Sequence, residues 1–135
     1  SRWGLTGNGT ATSALACGGE DAPSNTANTE VWNGTAWTEV NNLNTARREL
    51  ASGGANSTSS LAFGGENPSG STVKAVTESW NGTSWTEVND LNTARNELAG
   101  NGVAASALAY GGLPTTAATE EWSEPFPTTV SFTVS

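Results

Sequence analysis

Apolar residues along this chain stand in short runs, and Gly, Asn, Ser and Thr fill most of the stretches between them. Three runs end in a pair of glycines and read S-A-L-A-C-G-G, S-L-A-F-G-G and S-A-L-A-Y-G-G. A loop with a proline follows each of them, and then a run that ends on Trp32, Trp80 or Trp122. Short apolar runs bounded by turn residues predict β-strands. Since no stretch has a helical period long enough to predict a helix, the pattern predicts an all-β chain.

The runs belong to an internal repeat. Residues 29–47, T-E-V-W-N-G-T-A-W-T-E-V-N-N-L-N-T-A-R, return almost unchanged as residues 77–95, a shift of 48 positions. An arginine opens each repeat, so that the chain divides into three predicted units, residues 1–46, 47–94 and 95–135. Repeats of about 40–50 residues indicate propeller blades or solenoid turns.

Each repeat carries the signals of four short strands. We expect Asn33-Gly34 and Asn81-Gly82 to form two-residue hairpin turns with positive φ at both positions. The turn at 123–127 should differ, because its two prolines cannot adopt positive φ, and residues 128–135 predict the last strand. The segments L-N-T-A-R-R-E-L and L-N-T-A-R-N-E-L fit a helical turn or a crossing loop, and their position between strands favours the loop.

This order of signals resembles the kelch repeat, which forms one blade of a β-propeller. The likeness rests on an opening Arg, an apolar strand ending in Gly-Gly, a strand ending on an aromatic residue, a turn, and a Trp soon after. The motif positions are Gly18, Gly19, Gly64, Gly65, Gly111 and Gly112, then Trp32, Trp80 and Trp122, then Trp37 and Trp85. The resemblance implies three four-stranded blades. The chain departs from the kelch pattern in two ways. Trp stands where kelch repeats usually have Tyr, and the third repeat has Phe126 or no equivalent residue at the position of Trp37 and Trp85.

Three blades do not close a ring, since propellers typically carry 4–8. The ring is completed either by a second copy, which gives six blades with head-to-tail contacts, or by a longer parent chain. For the dimer we expect Trp3, Leu5 and Leu15 to contact the last blade of a neighbouring copy, because an uncovered apolar face is a surface that soluble monomers avoid.

The recurring residues have structural interpretations. The glycine pairs let strand ends turn without a Cβ clash. The recurring tryptophans favour packing between blades, and stacking on sugar rings is the rival interpretation; Trp3 lies outside the repeat pattern. Arginines and glutamates recur together, which predicts ion pairs: Arg2, Arg47 and Arg95 with Glu30, Glu78 and Glu120.

The composition of the chain excludes several classes of function. The net charge is −8 with five cations, which does not supply the basic face that nucleic acid requires and disfavours anionic membranes. The chain has no His, so the common catalytic triads and the commonest transition-metal ligand are excluded. The single Cys17 takes the position of Phe63 and Tyr110 on a predicted buried strand, so we expect Tyr110 to be buried and Cys17 to be a small buried residue. A calcium site in the loop at Glu20-Asp21 is a minor alternative to a chain that binds no metal. Four sequons permit glycosylation, at Asn8, Asn33, Asn56 and Asn81.

These observations predict a protein without catalytic residues, bound metal or cofactor. Its near-verbatim, Thr- and Asn-rich, Lys-poor repeats resemble in style those of bacteriophage and bacterial surface proteins. We therefore expect a structural or binding module of a virion or cell surface that contacts a protein or glycan and forms a homo-oligomer. The alternative is a carbohydrate-binding lectin propeller with one site per blade, and a hydrolase would need catalytic groups from another chain.

Overall fold

The computed structural model describes residues 1–67, 72–114 and 117–124. The described residues form strands and no helix. Pro68, the predicted turn at 123–127 beyond Glu124 and the predicted last strand lie outside them. The strands are β1 (Thr6–Thr10), β2 (Ser13–Cys17), β3 (Glu20–Asp21), β4 (Ser24–Asn25), β5 (Thr29–Trp32), β6 (Trp37–Val40), β7 (Ala51–Asn56), β8 (Ser59–Phe63), β9 (Thr77–Trp80), β10 (Trp85–Glu87), β11 (Ala99–Val103), β12 (Ser106–Tyr110) and β13 (Thr119–Ser123).

These strands build three main antiparallel sheets. The first has the order β1-β2-β5-β6, and the second has the equivalent order β7-β8-β9-β10. The third contains β11-β12-β13 among the described residues, and β3 and β4 form a small separate hairpin. The prediction of an all-β chain is confirmed, and two of the described sheets have the four strands expected of each repeat.

Each main sheet has two distinct faces, because side chains alternate along a strand. In the first sheet the register places Trp32 beside both Ala14 and Trp37. We call the face with this tryptophan pair, and its equivalent in the other sheets, the front face. Leu15 and Cys17 point to the opposite side, which we call the back face.

The back face of the first sheet packs against the front face of the second. The buried residues of this contact are Leu15, Cys17, Leu43, Leu50, Ala62, Trp80 and Trp85, flanked by Ala27, Val31 and Val40. Because Ala62 is small, the second sheet can lie close to the large side chains of the first sheet. Full burial of a side chain such as Leu15 stabilises the fold by roughly 1.5–3 kcal/mol.

The back face of the second sheet packs against the front face of the third in the same way. The buried residues are Ala51, Leu61, Phe63, Leu98, Ala104, Ala107 and Ala109, and Val88, Leu91 and Trp122 are partly buried against them. Equivalent positions fill the two contacts, since Leu61 takes the place of Leu15 and Phe63 that of Cys17. The repeat therefore specifies a stacking contact as well as a sheet.

The first strands of the sheets, β1, β7 and β11, lie next to one another. A Cβ added at Gly100 would lie 2.5 Å from Cζ of Phe63. Between β1 and β7, the Thr6 hydroxyl donates to Ser52 Oγ at 2.9 Å. This crowding explains why the first strand of each repeat is rich in Gly and other small residues.

The Asn-Gly hairpins are present, but the predicted two-residue turns are wrong. Trp32 pairs with Trp37, which leaves residues 33–36 as a four-residue loop. Among the described non-glycine residues, only Glu49 and Glu97 have positive φ, whereas Gly34 has a φ of 93° and Gly82 one of 94°. The Asn33 side chain accepts the amide hydrogens of residues 35 and 36 through Oδ1 at 2.9 and 3.0 Å. This side-chain turn needs no positive φ at the asparagine itself.

Cys17, Phe63 and Tyr110 share a repeat position but differ in environment. Cys17 and Phe63 are buried, as expected for Cys17. Tyr110 is 40% exposed, because no described strand packs on the back face of the third sheet, so the prediction of a buried Tyr110 is wrong. Burial raises the pKa of the Cys17 thiol to about 12, which keeps it protonated and unreactive at neutral pH.

Candidate functional site

The first candidate surface is the front face of the first sheet. Trp37 is 49% exposed there, and its ring lies 5.6 Å from that of Trp32 at an interplanar angle of 44°. The Trp32 indole donates to the carbonyl of Ala11 at 2.9 Å, which fixes the ring. An ordered, half-exposed aromatic pair of this kind suits contact with a second surface.

The equivalent pair in the second sheet lies inside the protein. Trp80 is 1% and Trp85 6% exposed, at a ring separation of 5.3 Å and an angle of 43°. The Trp85 indole donates to the Thr29 hydroxyl at 3.0 Å. Trp122 of the third sheet is partly buried. The recurring tryptophans thus fall into two groups: Trp80, Trp85 and Trp122 pack between sheets, whereas Trp32 and Trp37 lie on the open front face of the first sheet.

The second candidate surface is the back face of the third sheet. Leu108 is 42% and Tyr110 40% exposed, while Ala107 and Ala109, which alternate with them along β12, are buried against the second sheet. Glu121 pairs with Leu108 in the register, so a carboxylate belongs to this face as well. The corresponding positions of the first and second sheets carry Val31 and Ser79.

Glycine pairs join neighbouring repeats. A Cβ at Gly18 would lie 2.8 Å from the Leu50 side chain, and one at Gly64 would lie 2.9 Å from that of Leu98. In all three pairs both glycines have positive φ. The first two pairs therefore turn the strand end and leave room for the leucine of the next repeat.

The same contact is incomplete at the two ends of the stack. Gly111 has a φ of 70°, but no atom of the described residues lies within 4 Å of an added Cβ. Leu5, which is equivalent to Leu50 and Leu98, is 41% exposed. The glycine–leucine contact forms twice within the chain, as Gly18 with Leu50 and Gly64 with Leu98. The third sheet thus presents an uncovered glycine and the first sheet an uncovered leucine of the same kind of contact.

Leu15 does not belong to either outer surface. It is 1% exposed in the core between the first and second sheets, because the alternation along β2 turns it to the back face. The expectation that Leu15 contacts a neighbouring copy is therefore wrong. Trp3 and Leu5, which were predicted with it, are 50% and 41% exposed.

The predicted ion pairs are present. Arg47 binds Glu78 at 2.5 Å with both side chains fully buried, and Arg95 binds Glu120 at 2.6 Å. The Arg2 pair with Glu30 also measures 2.5 Å, but the Glu30 side chain is 38% exposed. Two of the three pairs are thus held between sheets.

Additional hydrogen bonds make the buried pair tolerable. The Arg47 guanidinium also donates to the carbonyl oxygens of Gly64 at 2.9 Å and Ala62 at 3.1 Å. Glu78 accepts the backbone amide hydrogen of Asn44 at 2.7 Å. These contacts tie the crossing loop to the second sheet, which gives Arg47 a structural role.

A second charged cluster was not predicted. Arg48 bridges Glu20 of the first repeat and Glu66 of the second, and these contacts raise the pKa of its guanidinium. The Arg48 guanidinium carbon also lies 4.7 Å from the centroid of the Trp3 ring. Asn96 donates to Glu66 at 2.9 Å. The sequence did contain a feature that could have predicted this cluster. Both glutamates directly follow a glycine pair, and Arg48 directly follows the arginine that opens a repeat.

The described residues contain no group of three or more His, Cys, Asp or Glu side chains placed to hold a metal ion. At the considered calcium position, Glu20 is engaged by Arg48. Within the described ranges, no helix is long and apolar enough to span a membrane. No protein-family model matches the sequence, and the comparison with curated proteins finds no match.

Proposed function

We propose that this chain is a non-catalytic binding module, with its three sheets acting as kelch-like blades of a β-propeller. One observation carries the proposal: the same tryptophan of the repeat is 6% exposed as Trp85 and 49% exposed as Trp37. The front face of the first sheet is thus an aromatic surface of the kind that a neighbouring back face covers within the chain. The best-fitting partner is another sheet of this repeat.

A second copy of the chain supplies such a sheet. The Gly19 amide donates to the Arg47 carbonyl and the Gly65 amide to the Arg95 carbonyl, both at 2.9 Å, and these bonds join successive repeats. Head-to-tail copies would place Leu5 of one copy on Gly111 of the other. Two such contacts related by a two-fold axis give six blades, within the range of closed propellers.

A binding role without catalysis agrees with the chemistry of the chain. There is no His in the sequence to act as a general base. The carboxylates of Glu78 and Glu120 are engaged by arginines. We place the module on a virion or an extracellular surface, in keeping with the style of its repeats.

Light scattering of the full 135-residue chain over a range of concentrations tests the proposal. We expect a dimer, and we expect Trp37→Ala or Leu108→Asp to raise its dissociation constant roughly tenfold or more, as for central aromatic and apolar contacts. Glu121→Val should tighten the dimer, because it removes a carboxylate from an apolar contact. Ser59→Ala, an exposed change outside both faces, serves as the control.

A folded monomer at every concentration would contradict association between copies. Such a result would assign the open faces to further repeats of a longer polypeptide. Near-ultraviolet circular dichroism of the tryptophans establishes that each variant is folded before its mass is interpreted.

Trp37 also favours a second candidate function, carbohydrate binding. Sugar rings stack on exposed indoles, and Trp37 offers one, whereas Trp80 and Trp85 are buried. The surface therefore supports a sugar site on the first sheet more readily than one on every sheet. A glycan array probed with the wild type and with Trp37→Ala tests it: binding that the substitution abolishes supports a lectin, and an array without binding contradicts it.

A further inference from the structure

Four asparagines of the chain stand directly before a glycine: Asn8, Asn33, Asn81 and Asn101. In such a pair the backbone nitrogen of the glycine can attack the side-chain carbonyl carbon of the asparagine, because glycine has no side chain to obstruct the approach. The attack closes a succinimide ring and releases the side-chain nitrogen as ammonia. The rate in each pair depends on how closely the fold holds the two reacting atoms.

At Asn101 the reacting groups already lie together. The Gly102 amide donates to Asn101 Oδ1 at 2.6 Å, and the carbon under attack, Cγ, is bonded directly to that oxygen. Asn101 is exposed, and its Nδ2 has no hydrogen-bond partner among the described residues. The leaving nitrogen is therefore not held by a contact that the reaction would have to break.

Asn8 occupies the same repeat position in the first sheet, and it also stands between two glycines. Its side chain is nevertheless held at both ends. Asn8 Oδ1 accepts the Ser60 hydroxyl hydrogen at 2.6 Å, and Asn8 Nδ2 donates to the Asn56 carbonyl at 3.5 Å. Both partners belong to the second sheet, so a reaction at Asn8 would have to break a contact between sheets.

The two hairpin asparagines are exposed, but their side chains are engaged as well. Asn33 Oδ1 accepts the amide hydrogens of residues 35 and 36 at 2.9 and 3.0 Å. Asn81 Oδ1 accepts those of residues 83 and 84, both at 2.9 Å. Two hydrogen bonds thus fix each of these side chains over its turn, whereas Asn101 Oδ1 binds the amide that would attack it.

We propose that Asn101 is a site of spontaneous deamidation, which reacts faster in the folded chain than the other three Asn-Gly pairs. The Gly102 nitrogen forms a bond to Asn101 Cγ, the Cγ–Nδ2 bond breaks, and ammonia leaves with the proton of the glycine amide. A water molecule then opens the succinimide, which yields aspartate or isoaspartate. The reaction uses water as its only co-reactant.

The product places a new carboxylate on the back face of the third sheet. Asn101 and Glu121 both pair with Leu108 in the register, so the three side chains share that face. The consequence for association rests on the proposed function: a second carboxylate beside Glu121 opposes burial of this face by another copy. A covering copy should in turn slow the reaction, as the second sheet does at Asn8.

Peptide mapping of the full 135-residue chain tests the proposal. The folded chain is incubated at low concentration in mildly alkaline buffer and is then cut with trypsin. Cleavage after Arg95 leaves Asn101 in a peptide without another Asn-Gly pair, and fragmentation by mass spectrometry separates Asn8 from Asn33. We expect Asn101 to deamidate roughly tenfold or more faster than Asn8. In urea the two should react at the same rate, because both stand between glycines.

Two variants sharpen the test. Asn101→Gln should remove the deamidation from its position, because the longer side chain does not close the same small ring. Ser60→Ala removes the hydroxyl that donates to Asn8 Oδ1. We expect it to raise the rate at Asn8 roughly three- to tenfold and to leave the rate at Asn101 unchanged.

Equal rates at Asn101 and Asn8 in the folded chain would overturn the proposal, as would a faster reaction at Asn33 or Asn81. Protein concentration tests the association separately. A rate at Asn101 that falls as the concentration rises supports a covered back face. A constant rate contradicts the proposed dimer and leaves the deamidation site in place.

Discussion

The front faces of the first and second sheets are built from equivalent residues but are covered to very different degrees. Trp37 and Trp85 stand in the phrases T-A-W-T-E-V and T-S-W-T-E-V, and their exposures are 49% and 6%. The geometry around them hardly differs, since the two ring pairs have interplanar angles of 44° and 43°. The repeat sets the local arrangement of a sheet, and a neighbouring sheet decides its burial.

The ion pairs show the same difference. Arg2–Glu30 and Arg47–Glu78 both measure 2.5 Å. Only the second pair is fully buried. Because water screens exposed charges strongly and buried ones weakly, identical distances carry different free energies. Substitutions at equivalent positions can therefore measure what a covering sheet contributes.

The largest expected difference is between Arg47→Ala and Arg2→Ala. Removal of Arg47 leaves Glu78 as a buried, unpaired carboxylate, which we expect to lower the free energy of unfolding by about 4 kcal/mol. Removal of Arg2 from its partly exposed pair should cost less than about 1 kcal/mol. Urea unfolding, followed by tryptophan fluorescence at low protein concentration, measures both.

Arg47→Met with Glu78→Gln provides the control for this pair. Removing both charges together should be less harmful than removing Arg47 alone, because no unpaired charge is then buried. Equal losses for Arg47→Ala and Arg2→Ala would break the comparison and show that the two pairs have the same surroundings in solution.

The next difference is between Trp85→Ala and Trp37→Ala. Deletion of the buried indole should cost about 3 kcal/mol, at the lower end for a tryptophan in a core because Trp85 lies on the edge strand β10. Deletion of the exposed indole should cost about 1 kcal/mol, chiefly through its contact with Trp32. The same unfolding experiment at low concentration distinguishes them. A loss for Trp37→Ala that grows with protein concentration would reveal a covered face and support association between copies.

The repeat made much of this fold predictable. The glycine pairs, the strands that end on tryptophan and the recurring Arg and Glu residues predicted the four-stranded antiparallel sheets and the ion pairs. These features depend on contacts within a repeat or between adjacent ones, and their residues recur. The turn at Asn33 was predicted wrongly, because a side-chain hydrogen bond replaced the expected backbone conformation.

Features of the ends of the stack were less predictable. Leu15 and Tyr110 were assigned to the wrong environments, since the repeat pattern does not tell which face of an end sheet is covered. The environment of Thr77 was also missed, because the repeat pattern alone does not distinguish Thr77 from Thr29. Only the side-by-side comparison of two contacts shows that an equivalent hydroxyl has a donor in one and none among the described residues in the other.

The smallest expected difference concerns these two hydroxyls. Thr29→Val leaves the buried Trp85 N–H without its acceptor, so we expect a loss of about 1–2 kcal/mol in the free energy of unfolding. Thr77→Val removes a buried oxygen that has no partner among the described residues, and the valine keeps the shape of the side chain. We therefore expect Thr77→Val to be neutral or to stabilise the protein by up to about 1 kcal/mol. Urea unfolding measures both variants.

The sign of the Thr77 effect is the informative quantity. A loss equal to that of Thr29→Val would mean that the Thr77 hydroxyl accepts a hydrogen bond in solution, and the two sheet contacts would then be equally complete. A gain in stability means instead that the hydroxyl is maintained at a cost in the free protein.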